Sequence, residues 1–283
     1  MGAGMRPPAV AHRFWRVDGM PHLEARDVLD GRQVCYAKHS HETFSFGVVT
    51  GGTSSYLNGK QRCIIGPGTV VLMNPGDVHA CNPERDAAWS YRMFYLDMTW
   101  LQRQQVDLEV ASEGQYRRFE AILTHDAAIR TQLDTLFNAM TAPEADTFAC
   151  EHHLAMFCET LHVRLGVGKA QKTRRGLAPH GVQRVARQLE EGGTATSLEA
   201  LAHDAGMSAS QLIRQFKQHF GLTPHAYLLN SRVQYAQRQL RRGEPLAQVA
   251  VDAGFADQAH FQRAFKQHLA ATPGQYRSQV ASR

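Results

Sequence analysis

At 283 residues the chain is long enough for two domains that each bury a core, and its 43% hydrophobic content is that of an ordinary globular protein. The net charge of +5 is unevenly spread, with residues 1–166 balancing to −4 and residues 167–283 to +9, so the second half is suited to a polyanion. No apolar run approaches the roughly 18 residues that span a bilayer, and the opening MGAGMRPPAVAHRF lacks the apolar centre of a secretory leader. Cys35, Cys63, Cys81, Cys150 and Cys158 are odd in number and form no CxxC pair, which argues against a disulfide framework and for a cytoplasmic chain.

From Val34 to about Leu96, Gly and Asn punctuate short runs rich in β-branched and aromatic residues, such as TFSFGVVTGG and SYRMFYLDM. Short antiparallel strands at this spacing predict a barrel or sandwich. Asn58-Gly59 is expected to form a two-residue hairpin turn. If His39 and His41 lie on a strand they share one face, and His79 then completes a three-nitrogen set that can hold a metal. A barrel mouth commonly takes a small ligand. The candidates are His39, His41, Phe44, Tyr56, His79, Tyr91 and Tyr95, each of which also reads as plain barrel core.

The pattern turns helical from about Glu113 to Leu165, with stripes at Tyr116, Phe119, Ile122 and Leu123, at Ile129, Leu133, Leu136 and Phe137, and at Phe148, Leu154, Phe157, Leu161 and Leu165. Such helices suit packing on the barrel or pairing with a second subunit. Residues 166–178, with Lys169, Lys172, Arg174 and Arg175, read as a basic linker. The expected domains are therefore 1–165, the linker 166–178, and 179–283.

The last domain contains a repeat. FKQHFGLTPHAY from Phe216 is nearly copied as FKQHLAATPGQY from Phe265, 49 residues on, and LAHDAG from Leu201 faces VAVDAG from Val249. Each copy has the grammar of a helix, a tight turn and a second helix. Thr196 or Ser197 caps the first helix, Gly206 turns, Ser208 caps the second, and Leu212, Phe216 and Phe220 form its stripe. Pro245, Gly254, Asp257 and the stripe Phe261, Phe265, Leu269 play the same parts in the second copy. A continuous helix from Pro224 to about Arg241 joins them, a rod of roughly 27 Å. Two recognition helices at its ends match successive major-groove segments about 34 Å apart.

With the apolar stripes turned inward, the opposite faces offer Ser210, Gln211, Ile213, Arg214 and Lys217, then Gln258, Ala259, His260, Gln262, Arg263 and Lys266. Arg suits guanine and Gln suits adenine in the major groove, while Ser, Lys and His suit phosphates.

The run Gly254, Phe255, Asp257, Gln258, His260, Phe261, Arg263, Phe265, Lys266, Thr272, Pro273, Tyr276 and Arg277 resembles the signature of the AraC-type (AraC/XylS) transcription regulators. One departure is Ala270, where that family usually has Gly, as at Gly221 in the first copy; a looser or differently closed turn is expected there. His39-Ser40-His41, Gly66-Pro67-Gly68 and Asn74-Pro75-Gly76-Asp77-Val78-His79 are similar to the cupin-type sensor half of the same regulators. The resemblance implies an α+β multidomain chain, with a cupin-like β-barrel and packed helices followed by an all-α domain with two helix-turn-helix motifs. It implies a regulator, by family expectation an activator, with promoter DNA, a small-molecule effector and RNA polymerase as partners, and a homodimer as one assembly. By the same resemblance, the eleven positions named above on the two second helices match that family's base and backbone contacts to DNA.

Metal-binding cupins place a Glu a few residues after the paired His. Here Ser45 and Phe46 stand in those places and Glu42 directly follows His41, so no metal cofactor is expected and the His residues are assigned to a pocket or to turns. No nucleophile, base and orienter recur together, and the chain is not read as an enzyme. The rivals are a metal-dependent cupin enzyme carried on a DNA-binding module, which needs a full ligand shell, and a ligand-independent DNA-binding protein, which needs no pocket.

Overall fold

The computed structural model describes residues 12–32, 34–84, 88–168, 178–191 and 197–278. The basic stretch with Lys169, Lys172, Arg174 and Arg175, and the alternative cap Thr196, lie outside the described residues.

Nine strands form two sheets among the described residues. One has the order β1(His12–Trp15), β2(Leu23–Val28), β8(Trp89–Leu96), β3(Phe44–Gly52), β6(Val70–Met73), β9(Leu123–Thr124), and the other β5(Gln61–Ile65), β4(Ser54–Asn58), β7(His79–Pro83). All pairings are antiparallel. The period of two sorts the larger sheet's side chains between two cores. Phe46, Val70, Leu72, Phe94 and Leu96 face three helices, α1(Met98–Asp107), α2(Ala127–Thr141) and α3(Thr147–Leu165). Val49, Val71, Met73, Tyr91 and Met93 face the smaller sheet, meeting its Tyr56 and Ile65. A sheet covered on both faces needs apolar residues without alternation, which explains the wholly buried run VVLM of β6.

The hairpin between β4 and β5 turns one residue later than the sequence suggests: Asn58 pairs with Gln61, leaving Gly59-Lys60 as the loop, with Gly59 at φ 59°. Asn58 is drawn inward, because its Nδ2 donates to Tyr56 Oη at 2.8 Å and to Leu72 O at 3.2 Å.

The stretch Tyr116, Phe119, Ile122, Leu123 is not the helix its spacing suggests. Its backbone groups are paired outside a helix: Asn74 bonds both Phe119 N and Phe119 O, at 2.9 and 3.0 Å, Gln105 bonds both Arg117 N and Arg117 O, at 2.9 and 2.8 Å, and Ile122 O accepts from Leu72 N at 2.8 Å. The chain thus runs extended into β9, which adds to β6. The other two stripes form α2 and α3, capped by Asp126 and Asp146, whose carboxylates accept from the first-turn amides.

Among the described residues the C-terminal half has helices as its only regular elements: α4(His180–Glu190), α5(Leu198–Asp204), α6(Ala209–Phe220), α7(Pro224–Arg241), α8(Leu246–Asp252), α9(Gln258–Leu269) and α10(Pro273–Ser278). The first repeat packs Val182, Val185, Leu201, Leu212 and Phe216 into one core, and the second packs Val249, Phe261, Phe265 and Tyr276 with Val233 and Leu240 of α7 into another. Ser208 closes a reciprocal capping box with Gln211, and Asp257 accepts from His260 N at 2.6 Å.

Ala270 ends α9 in the left-handed conformation, φ 53° and ψ 7°, with its N–H on Lys266 O at 2.7 Å. The turn therefore closes as it does at Gly221, φ 74°, without the loosening expected of an alanine. Its methyl is buried against the sensor's inter-sheet core. Burial of that group offsets the strain of a non-glycine residue at positive φ.

Candidate functional site

The helical domain docks on the β domain through α7, α9 and α10. Ser40 N donates to Asn230 Oδ1 at 3.2 Å, Gln234 Nε2 donates to Ser40 O at 2.6 Å, and Arg238 Nη1 reaches Glu42 Oε2 at 2.6 Å. Ala37 N donates to Gln267 O at 3.0 Å. Glu24 of β2, almost wholly buried, accepts from Arg16 and from Tyr276 Oη and lies 3.4 Å from Arg241 Nη2. Phe14 of β1 completes the second repeat's core, edge-on to Tyr276 with ring centroids 5.2 Å apart.

Between the two sheets and the end of α9 lies a cavity with about 540 Å³ of empty space, part of it open to solvent. Its walls are mainly apolar, with Val49, Ile65, Val71, Met73, Trp89 and Met93, and carry a few polar groups, the form a small-ligand site takes. Of the seven residues proposed from sequence, His39, His41, His79, Tyr91 and Tyr95 line it. Phe44 does not, because it points to the opposite face of the sheet and packs with Phe46 and Phe119. Tyr56 is buried core outside this lining, its Oη committed to Leu72 O at 3.0 Å. Tyr36, hydrogen-bonded to Tyr91 through their hydroxyls, also contributes to the wall.

Two further lining residues, His268 and Leu269, come from α9, 49 positions after the first repeat's His219 and Phe220. Sequence reasoning assigned Leu269 to the repeat's own core and did not select His268. The signal was its spacing: His268 follows Phe261 by seven and Phe265 by three residues, which puts it beside the buried stripe.

His39 and His41 are not on a regular strand; His39 forms an isolated antiparallel bridge with His79, the first residue of β7. That bridge still brings the three rings together, with centroids 4.5 Å apart for His39 and His79, 4.8 Å for His39 and His41, and 4.9 Å for His41 and His79. His268 stands 6.0 Å from His39. Burial, then the neighbouring His79, hold the His39 and His41 imidazoles well below their ordinary value of 6.5, and burial also lowers His79 and His268. The four rings are therefore neutral bases near neutral pH.

On the reader, Ser210, Gln211, Arg214 and Lys217 of α6 are exposed and Ile213 is half-buried. Gln258, Ala259, Gln262, Arg263 and Lys266 of α9 are exposed as well. His260 is half-buried, edge-on to Phe255 at 5.3 Å, and Gln211 uses its carbonyl to accept from Ser208 N at 2.9 Å, so both also serve their own turns. Each second helix thus presents a polar face opposite its core stripe.

A family profile described as an AraC-like ligand binding domain matches residues 28–157, and one described as a helix-turn-helix domain matches residues 201–279. The chain is 34% identical over 101 residues to the HTH-type transcriptional regulator MtrA of Neisseria gonorrhoeae, spanning 35% of this chain and 33% of that protein. It is 24% identical over 249 residues to the uncharacterized HTH-type transcriptional regulator YbfI of Bacillus subtilis, spanning 88% of this chain and 89% of that protein. Among solved structures, an apo single-site variant of ToxT from Vibrio cholerae superposes with a TM-score of 0.55 at 11% identity, covering 97% of this chain and 98% of that one. That likeness shows the shared two-domain fold. Two sheets around a largely apolar cavity, two helix-turn-helix cores joined by α7, and both profiles in matching order show that this chain belongs to the AraC-type transcription regulators.

Proposed function

We propose that the protein binds promoter DNA through α6 and α9 together and that a small molecule in the inter-sheet cavity controls this binding. The observation that carries the reading is the double use of α9. Its exposed face bears Gln258, Gln262, Arg263 and Lys266, while His268 and Leu269 on its other side wall the cavity. A ligand that changes the packing of His268 and Leu269 has differential affinity for docked and released readers, as any switch requires.

Arg214 and Arg263 hold equivalent places on the two helices and are the bases' readers; Ser210, Lys217, His260 and Lys266 hold phosphates, and Gln211, Ile213, Gln258, Ala259 and Gln262 complete the two surfaces. The end of α3 at Leu165 and the cap of α4 at Pro179 support a sensor of residues 1–165, a linker of 166–178 and a reader of 179–283. A protein that works on promoter DNA with RNA polymerase works in the cytoplasm, here as a regulator and not an enzyme. A second copy fits against α3, where Phe148 is 81% and Val163 76% exposed. A structure of ToxT is described as bound to an unsaturated fatty acid, which supports a small organic occupant in such a fold.

Sequencing DNA selected from a random pool, with and without candidate metabolites, tests the proposal. A bipartite motif with half-sites about one helical turn apart is expected. A single half-site, or no sequence preference, would overturn it.

A further inference from the structure

His39, His41 and His79 each place one ring nitrogen within 4.8 Å of the others. Their orientation is held by backbone bonds: His39 Nδ1 lies 2.8 Å from Ala37 O and His79 Nδ1 lies 2.9 Å from Asp77 O. A carbonyl oxygen only accepts, so each Nδ1 carries the proton and each Nε2 keeps its lone pair. His268 is arranged alike, with Nδ1 2.7 Å from Ala264 O. An imidazole whose second nitrogen is tied to a carbonyl is the form that metal ligands take.

The spacing agrees. An ion about 2.0–2.1 Å from each nitrogen, with tetrahedral angles, sets imidazole centroids roughly 5 Å apart. The three sensor rings are separated by 4.5 to 4.9 Å, and His268 stands outside this trio, 6.0 Å from His39 on the wall that α9 gives to the same cavity. The sequence has no cupin Glu beside the paired His, but a His from the other domain stands next to the set.

We propose that His39, His41 and His79 bind a divalent transition-metal ion of the zinc class through Nε2, and that His268 of the reader supplies a fourth nitrogen. Four neutral nitrogens and no carboxylate favour zinc, cobalt, nickel or copper over the oxygen-seeking magnesium and calcium. Arg26 and Arg241 place positive charge near His41 and oppose any cation there, so the affinity has to come from the imidazole nitrogens themselves. The ion would tie α9 to the sensor, so the coupling to DNA rests on the regulatory reading above, whereas binding of the ion does not.

The test uses the full chain without a histidine tag, stripped with a chelator and then titrated with Zn²⁺ or Co²⁺. One tightly held ion per chain is expected after gel filtration, with the intense visible spectrum of tetrahedral Co²⁺ and no retention of Mg²⁺ or Ca²⁺. His41→Asn and His79→Asn should each lower affinity by at least about 10-fold, and His268→Asn should lower it and change the Co²⁺ spectrum. Replacing the neighbours His152 and His153, on α3, should change nothing. The wild-type Co²⁺ spectrum decides the matter even if a buried variant misfolds: an unperturbed, water-like spectrum overturns the site. An unaltered spectrum and affinity in a folded His268→Asn protein overturn the reader's share. Metal binding with no effect on DNA affinity overturns only the coupling, and DNA selection that persists without any bound metal overturns only the ion's regulatory part.

Discussion

Tyr276 Oη donates to Glu24 Oε2 at 3.1 Å, joining α10 to β2 across 252 positions of sequence. Arg241 of α7 strengthens the same junction, its Nε donating to Tyr276 Oη at 2.8 Å. Burial alone would raise the Glu24 pKa, but Arg241 and Arg16 outweigh it and hold the carboxyl below its ordinary 4.5. A group whose folded pKa is depressed contributes stability that is present above its unfolded pKa and lost as pH falls through the folded one. The interdomain contact is therefore expected to hold at neutral pH and to release on acidification below about 4.5. Glu24→Gln should weaken docking at pH 7 by about 1–3 kcal/mol and flatten that acid dependence, read as hydrogen exchange of the α7, α9 and α10 amides. Exchange unchanged in the variant would contradict this.

Arg263→Ala should weaken specific DNA binding by about 1–3 kcal/mol and relax the preference at one base position. Lys266→Ala should lower affinity for all sequences and reduce the salt slope by about one. Competition binding against specific and random duplexes separates the two; equal losses for Arg263→Ala on both would remove it from base readout.

Tyr56→Phe removes a hydroxyl that donates to Leu72 O and accepts from Asn58 Nδ2. With both partners buried, a stability loss of about 1–3 kcal/mol is expected, measured by urea unfolding. The effector's affinity should stay the same, because Tyr56 lies outside the cavity lining. A selective change in effector binding would return Tyr56 to the site.

Ala270→Gly removes left-handed strain but also a buried methyl worth about 0.8 kcal/mol, so the net change in thermal stability should stay within about 1 kcal/mol. Ala270→Val, a β-branched residue at φ 53°, should destabilise by about 2 kcal/mol or more. Equal stability of the two variants would show that α9 ends differently in solution.

The reader was legible because its structure follows from local rules. Ser208, Asp257, Pro245, Gly221 and Gly254 all stand where the sequence placed them, since caps, turns and a period of 3.6 act within a few residues of one another. The sensor was harder. β2 reads LEARDV, a charged run that does not look like a strand, yet all six residues are buried because Glu24 finds Arg241 and Tyr276 on the other domain and Arg26 meets His12. The stretch from Tyr116 to Leu123 carried helical spacing, but Asn74 and Gln105, distant in sequence, took its backbone hydrogen bonds.

By itself the sequence determined a duplicated helix-turn-helix reader and a β-rich sensor, together with the family they form, because repeats and capping grammar are written locally. Only the tertiary structure decided that His268 of α9 joins the sensor's three histidines around one cavity. That meeting depends on docking energies shared among Glu24, Ser40, Asn230 and Tyr276, and no periodicity along a single stretch of chain encodes contacts between surfaces so far apart in sequence.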